Sequence, residues 1–344
     1  MGGREMASVA PLGGPTITVV LKPEDEHPKR SKRVAAGSQG SASGPPALDD
    51  ILDRYGASLT PLFEHAQPRS PSPNASPTLR PRPPLPRSHL MPRPATPLAR
   101  FQKINLDALV SAAKLQELAK DLKAADRVES AYVTPPGVVP LGFKPRPRSK
   151  VVPPPVTPDF VPRQLYHKAA PIGFDTRWAA TLPGGRGTGV TIIDCEWGWV
   201  REHESLARNF KEIIGENDAK DPDHGTAVVG VLVGDRNPGG ITGIAPAAII
   251  KAYSFGLSQG HAKYVSQDTA PVIQKAAASL KEGDVLLLEI HRPDPATPPD
   301  EREQLGYLPV EWWPEDFAAI KQATDNGIIV IEAAGNGFQD LDGD

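Results

Sequence analysis

The sequence has little of several features that would identify its class at once. Cysteine occurs once, at Cys195, so no disulfide can form within the chain. There is no run of 18 apolar residues, and the N-terminus has no apolar stretch of signal-peptide length. The formal net charge is only −3 over 344 residues, which does not favour a nucleic-acid or membrane partner. We expect a soluble protein of two to three domains, and its compartment is left undetermined.

Proline is the residue in excess, and its distribution divides the chain. Of the 40 prolines, 27 fall within the first 160 residues. Residues 66–99 are rich in proline, arginine and serine and contain no acidic residue, and a second proline-rich stretch covers 135–163. Such segments bury too little apolar surface to offset the entropy lost on ordering. We predict a disordered N-terminus at 1–14, a disordered or extended insertion at 66–99, and a proline-rich linker at 135–163.

One motif lies inside the predicted insertion. The run RPRPPLP, residues 80–86, would suit a partner domain that reads polyproline helices. A linker kept soluble by its arginines has the same composition. We interpret the run as such a passive linker.

Hydrophobic periodicity predicts a small α+β module over residues 15–134. Apolar residues alternate in TITVVLK, FQKINL and RVESAYVT, as they do in strands. Helical spacing of apolar residues occurs around Ile51 and around Leu118, and SLTPLF is a short strand candidate. The resulting order, β-α-β-β-α-β, is that of a ferredoxin-like fold. The proline-rich insertion then falls between the second and third strands.

From residue 164 onward, apolar strands and amphipathic helices alternate. Strand candidates are GTGVTIID, AIIKAYSF, DVLLLEI and IIVIE, and we expect helices between them, including one soon after GTGVTIID. This pattern is typical of a parallel sheet with helices on both faces. The predicted fold class is therefore α/β, a parallel sheet flanked by helices. Ligand sites in such sheets form at the carboxyl ends of the strands.

Three polar residues occupy such positions. Asp194 ends the first apolar strand, His224 opens a helical segment, and Asn336 follows the last strand. A neutral imidazole can take a proton from a hydroxyl nucleophile, and a carboxylate on its other nitrogen fixes the tautomer. A helix N-terminus disfavours the charged ring and keeps such a base neutral. An asparagine amide can donate to an oxyanion.

The segments around these residues resemble the motifs of the subtilase family of serine peptidases. They are IIDCEWG, HGTAVVG, GITGIAP and AAGNG, in the family's order. The resemblance covers roughly residues 164–344 and implies a subtilisin-like fold and peptide-bond hydrolysis. It implies that Asp194 orients the base, that His224 is the general base, and that Asn336 is the oxyanion donor.

The first module resembles the propeptide of the same family. In the family this module acts as an intramolecular chaperone and inhibitor, with its C-terminal tail in the active-site cleft. The resemblance implies two kinds of partner, polypeptide substrates and the chain's own propeptide. We predict no cofactor and no metal site, since no specific motif indicates one, and the near-balanced charge and the lack of long apolar runs predict no nucleic-acid and no membrane partner.

The chain departs from the family pattern at three places. No serine occurs after Ser279, although the family's nucleophile, in a Gly-Thr-Ser-x-Ala segment, should follow the asparagine. Glu289, Ile290 and His291 stand where the family has the Ser-Leu-Gly that binds the substrate backbone. Cys195, Glu196 and Trp197 follow Asp194 where the family has a small residue and glycine. We therefore expect a peptidase domain at 164–344 that is C-terminally incomplete.

Other readings of the polar residues remain open. Cys195 is interpreted as a small core residue, since it would point to the face opposite Asp194. Glu289 and His291 could line the cleft or form a hydrogen bond with one another. The acidic run could ligate calcium, but we interpret it as a solvated loop; it comprises Glu216, Asp218, Asp221 and Asp223.

The sequence predicts a serine-type endopeptidase of the subtilisin type, whose serine segment is absent from this chain. We expect the 344 residues alone not to hydrolyse peptides, because no nucleophile follows Asn336. The alternative is a catalytically inactive truncated subtilase that acts only as a binding protein.

Overall fold

The computed structural model describes the greater part of both predicted domains. The described residues are 15–23, 44–64, 97–107, 110–138, 156–219, 222–235, 239–256, 268–297, 305–338 and 340–341. The predicted N-terminal segment 1–14, nearly all of the insertion 66–99 and much of the linker 135–163 lie outside them. Within the described ranges, every helix is too short or too polar to cross a membrane.

The N-terminal module contains six elements in the predicted order. They are β1 (Thr16–Leu21), α1 (Leu48–Tyr55), β2 (Ala57–Pro61), β3 (Phe101–Leu106), α2 (Ala112–Lys123) and β4 (Val128–Thr134). The strands pair in the order β2-β3-β1-β4, and every pair is antiparallel. Both helices pack on one face of this sheet, where Ile17, Leu118 and Leu122 are buried in one apolar cluster.

Local sequence chemistry sets the ends of these helices. Ser111 precedes α2, and its hydroxyl accepts a hydrogen bond from the backbone N–H of Lys114, which satisfies an N–H that has no partner within the helix. Two aspartates lie in the first turn of α1, where the helix dipole favours negative charge. Gly56 ends α1 with φ of 58°, a left-handed conformation that glycine adopts without steric cost. These signals are all local.

The second domain is built around a five-stranded sheet. Its elements are α3 (Thr176–Ala179), β5 (Thr191–Glu196), β6 (Phe210–Ile214), α4 (Asp223–Val233), β7 (Ile249–Ser254), α5 (Thr269–Ala278), β8 (Val285–Leu288), β9 (His291–Pro293), β10 (Tyr307–Pro309), α6 (Pro314–Asp325) and β11 (Ile329–Glu332). The large sheet has the order β11-β8-β5-β7-β6 and is parallel throughout. β9 and β10 form a separate antiparallel pair. The predicted fold class, a parallel sheet flanked by helices, is confirmed.

One element was predicted wrongly. The segment after β5 was expected to be helical, but it consists of turns followed by the edge strand β6. Only Phe210 of this strand is fully buried, and it contacts the indole of Trp199 edge-on. An edge strand that buries one residue lacks the apolar alternation that predicts strands.

Helices cover both faces of the parallel sheet. α5 and α6 pack on the face that carries Ile193, Cys195 and Leu286. α4 packs on the other face, where Ile192 and Ile250 are buried. Since β5 and β8 are central strands buried on both sides, β8 is apolar throughout, and β5 is apolar except at Thr191, Asp194 and Glu196.

The module packs on the same side as α5 and α6. Val20, Phe63 and Phe101 of the module belong to the same apolar cluster as those helices. At the start of α6, Glu315 is 2% exposed, and its carboxylate accepts hydrogen bonds from Tyr132 at 2.8 Å and Thr134 at 3.1 Å. A buried carboxylate with two donors joins the two domains at this point.

The end of the module continues along β9. The backbone N–H of Val138 donates to the carbonyl of His291 at 2.8 Å, and the N–H of His291 donates back at 3.0 Å. Arg292 donates to the carbonyl of Pro135 at 2.7 Å and forms an ion pair with Asp316, with 2.8 Å between Nε and Oδ2. The segment after β4 therefore pairs with β9 as an antiparallel strand would.

Candidate active site

The polar residues singled out in the sequence lie along one edge of the parallel sheet. Asp194 and Glu196 occupy the last half of β5, Glu289 directly follows β8, and Asn336 follows β11. These three strands are neighbours, in the order β11-β8-β5. His224 reaches the same edge from the first turn of α4. This edge is the carboxyl end of the strands, where sites form in parallel sheets.

Nδ1 of His224 is hydrogen-bonded to the carboxylate of Glu196. Its Oε1 lies 2.8 Å from Nδ1 of His224. The family resemblance predicts Asp194 in this place, but Asp194 accepts instead from the indole N–H of Trp199, at 2.8 Å from Oδ2. Sequence reasoning therefore missed Glu196 as the partner of the imidazole.

Strand geometry accounts for the difference. Residues two apart on a strand point to the same face, so Asp194 and Glu196 both face α4. Glu196 is the last residue of β5, about 6–7 Å further towards the sheet edge than Asp194. The sequence contains one indication that Glu196 takes this place. Gly198 lies two positions after Glu196, and the subtilase motif has a glycine two positions after its aspartate.

The surroundings of His224 hold the ring in one orientation. Trp197 stacks on it with ring centroids 5.8 Å apart and 13° between the planes. The imidazole side chain is 18% exposed, while Glu196 is fully buried. With Nδ1 held by a carboxylate, Nε2 is the ring nitrogen that exchanges a proton with a reacting group. The arrangement can therefore perform general acid–base chemistry.

Asn336 lies beyond β11, in a loop that contacts His291. Its side chain is exposed, and its backbone N–H points to Nδ1 of His291 at 3.5 Å. Gly335 precedes it with φ of 83°, and a Cβ there would lie 3.2 Å from the same imidazole nitrogen. Glycine thus lets the loop approach the imidazole closely and turn the Asn336 side chain outward.

The residues predicted to bind substrate backbone differ in their burial. Glu289 is partly buried, whereas Ile290 and His291 are fully buried. Ile290 belongs to the apolar core beside α5 and α6. Its side chain lies against Gly137, where a Cβ would come within 2.5 Å of Cδ1. The side chain of Ile290 therefore faces the core and the tail of the module.

His291 and Glu289 are not hydrogen-bonded to each other, which answers one question that the sequence left open. The ring of His291 stacks on Tyr307, with centroids 4.3 Å apart. Nε2 has no hydrogen-bond partner among the residues that the structure describes. Burial lowers the pKa of His291 to about 4, so the ring is neutral at neutral pH. Burial also raises the pKa of Glu289, against the attraction of His224.

The remaining candidates occupy ordinary positions. Cys195 is fully buried in the core on the face opposite Asp194, as predicted, and burial raises the pKa of its thiol. In the acidic run, Asp218 is buried and Glu216 is exposed, while Asp221 lies outside the described residues. Within the described part of the chain, no three His, Cys, Asp or Glu side chains are grouped so as to hold a metal ion.

Comparisons with known proteins found similar structures but no similar sequences. No protein-family model matches the chain, and no curated protein matches it. One similar solved structure is fervidolysin from Fervidobacterium pennivorans, a keratinolytic enzyme related to subtilisin. It is 17% identical to this chain with a TM-score of 0.47, and the match covers 96% of this chain and 41% of fervidolysin. The epidermin leader peptide processing serine protease of Staphylococcus aureus is 14% identical with a TM-score of 0.46, over 95% and 62%.

A third structure covers less of the chain. The nisin leader peptidase NisP of Lactococcus lactis is 22% identical with a TM-score of 0.32, over 51% of this chain and 50% of that one. The chain spans between 41% and 62% of the length of these three proteins.

Proposed function

We propose that this chain carries the general base and the oxyanion donor of a serine endopeptidase of the subtilisin type. The observation that carries the proposal is the 2.8 Å contact between Nδ1 of His224 and the buried carboxylate of Glu196. It lies at the carboxyl edge of a parallel sheet, with Asn336 following a strand of the same sheet. Three separate elements supply these residues.

Each residue has a distinct part in the proposed reaction. Nε2 of His224 takes the proton of a serine hydroxyl as the oxygen attacks the peptide carbonyl, and later gives it to the leaving amine. The Glu196 carboxylate fixes the tautomer and stabilises the imidazolium that forms. The amide of Asn336 donates to the oxyanion of the tetrahedral intermediate. No residue of this sequence is assigned as the attacking serine, since no serine occurs after Ser279.

The N-terminal module is proposed to act as an intramolecular propeptide. The antiparallel pairing of Val138 with His291 supports this, because β9 lies two residues beyond Glu289 at the same edge of the sheet. The ion pair of Arg292 with Asp316 and the bond to the Pro135 carbonyl hold this tail in place. Polypeptide substrates would then pair with the edge that the tail occupies.

The proposal is tested on the gene and on its product. Reading the gene beyond codon 344 shows whether an in-frame Gly-Thr-Ser-x-Ala segment follows. The encoded protein is then treated with a fluorophosphonate probe, which labels activated serines. Stoichiometric labelling is expected, and both His224→Ala and Glu196→Gln should reduce its rate by at least 100-fold. His203→Gln, at an exposed histidine, is the matched control and should label normally.

The opposite results would refute the proposal. An in-frame stop directly after codon 344, or a complete product that no fluorophosphonate labels, would favour the alternative of an inactive subtilase that only binds partners. Labelling that survives His224→Ala would show that another base serves the nucleophile.

A further inference from the structure

The two buried acids of β5 have separate partners. Glu196 is hydrogen-bonded to His224, and Asp194 is hydrogen-bonded to Trp199. Both carboxyl groups have no exposed surface. Two acids at one site with different partners have different tasks, and the mechanism proposed above uses only Glu196.

Trp199 connects Asp194 to the helix that carries His224. The indole is 1% exposed and packs in one apolar cluster with Val229 of α4. It lies directly over Gly225, where a Cβ would come within 2.7 Å of the indole nitrogen and 2.5 Å of the Gly198 carbonyl. The ring thus occupies the space beside the residue that follows His224.

The backbone after Trp199 contacts the same helical turn. The N–H of Val200 donates to the hydroxyl of Thr226 at 2.8 Å. The amide of Asn217 holds Trp199 from the other side, accepting from its N–H at 2.9 Å and donating to its carbonyl at 3.1 Å. Residues 197–200 therefore lie fixed against the first turn of α4.

We propose that Asp194 is a positioning residue: by holding the Trp199 indole against Gly225 it sets the place of the His224 turn, while Glu196 is the carboxylate hydrogen-bonded to the imidazole. The inference rests on the proposed function for the role of His224. It gives Asp194 a task other than the one that the sequence resemblance implies.

The electrostatics of the site agree with this division. Burial, and secondarily the nearby Glu196 carboxylate, raise the pKa of Asp194 well above its usual range. Oδ1 of Asp194 has no hydrogen-bond partner within the described ranges, and a protonated acid leaves that atom uncharged. The titratable groups that interact with His224 include Asp194, Glu196 and Glu289.

The experiment follows the imidazole of His224 by NMR in the 344-residue chain, from pH 4 to 9. Asp194→Asn should leave the midpoint of its titration within about 0.3 pH units, because the side chain of Asp194 is hydrogen-bonded to Trp199 and not to the ring. Glu196→Gln should lower the midpoint by about 1–3 units, since it removes a carboxylate in hydrogen-bond contact. A shift with Asp194→Asn as large as with Glu196→Gln would overturn the proposal.

The positioning role has its own readout. Trp199→Phe keeps the ring packing and removes the hydrogen bond to Asp194, so the amide resonances of residues 224–226 should move. Trp178→Phe, at an exposed tryptophan, is the control and should leave them in place. Unmoved resonances with Trp199→Phe would refute the role. Both readouts are independent of a serine, so they stand or fall separately from the labelling test of the proposed function.

Discussion

Replacing the buried histidine beside the Asn336 loop is expected to remove a specific acid sensitivity of the fold. His291 has no exposed surface, stacks on Tyr307 and accepts the N–H of Asn336 on Nδ1. Burial lowers its pKa from 6.5 to about 4. In the unfolded chain the imidazole binds a proton below about pH 6.5, whereas in the folded chain it stays neutral down to about pH 4.

The sign and size of the effect follow from linkage. Between pH 6.5 and 4 the unfolded state binds more protons than the folded state. The contribution of His291 to the free energy of unfolding is therefore fully present above pH 6.5 and is lost as the pH falls towards 4. The difference of about 2.5 pKa units corresponds to about 3 kcal/mol at most. By pH 4.5 about 2.5 kcal/mol of this should be lost.

Other buried groups act in the opposite direction. Burial raises the pKa of Glu332 to about 8, so its contribution is present below about pH 4.5 and is lost as the pH rises through 8. The pKa values of Asp194 and Asp316 are also raised by burial. The total pH profile therefore mixes opposing slopes, and the contribution of His291 must be read as a difference between two proteins.

The assay is urea unfolding of the unchanged chain and of His291→Phe, at pH 7.5, 6.0, 5.0 and 4.5. Phenylalanine keeps the stack on Tyr307 and does not titrate. The variant should lose about 2.5 kcal/mol less than the unchanged chain between pH 7.5 and 4.5. The control His203→Gln should track the unchanged chain. A free-energy difference between His291→Phe and the unchanged chain that stays constant with pH would refute the reasoning.

Two further substitutions test packing on either side of the sheet. Gly225→Ala should lower the free energy of unfolding by about 1–3 kcal/mol in urea titrations, because its Cβ would lie 2.5 Å from the Gly198 carbonyl. An unchanged midpoint of unfolding would show that the backbone at Gly198 can move away. Glu315→Gln should destabilise the chain by about 1–3 kcal/mol in the same titrations, because it weakens the hydrogen bonds that Tyr132 and Thr134 donate to the carboxylate. Equal stability of the variant and the unchanged chain would contradict the role of Glu315 in joining the two domains.

Local patterns carried much of the information about the fold. Alternating apolar residues in β1, β3 and β4 and helical spacing in α1 and α2 gave the element order of the module, because these periodicities depend on neighbouring residues only. The mostly apolar sequences of β5, β8 and β11 predicted a parallel sheet for the same reason. Strand β6 escaped prediction, since it lies at an edge and buries only Phe210 fully.

For the site, the sequence determined which residue types lie at the carboxyl edge of the sheet, and the tertiary structure decided which of them touch. Period-two geometry puts Asp194 and Glu196 on the same face and cannot choose between them as the partner of His224. The choice depends on where α4 begins relative to the end of β5, and on Trp199, which takes the hydrogen bond of Asp194. His291 is equally ambiguous in the sequence, because only the packing of Tyr307 and the Asn336 loop around it makes it a buried neutral ring. Contacts between residues distant in the chain are fixed by the packing of whole elements, which no local pattern records.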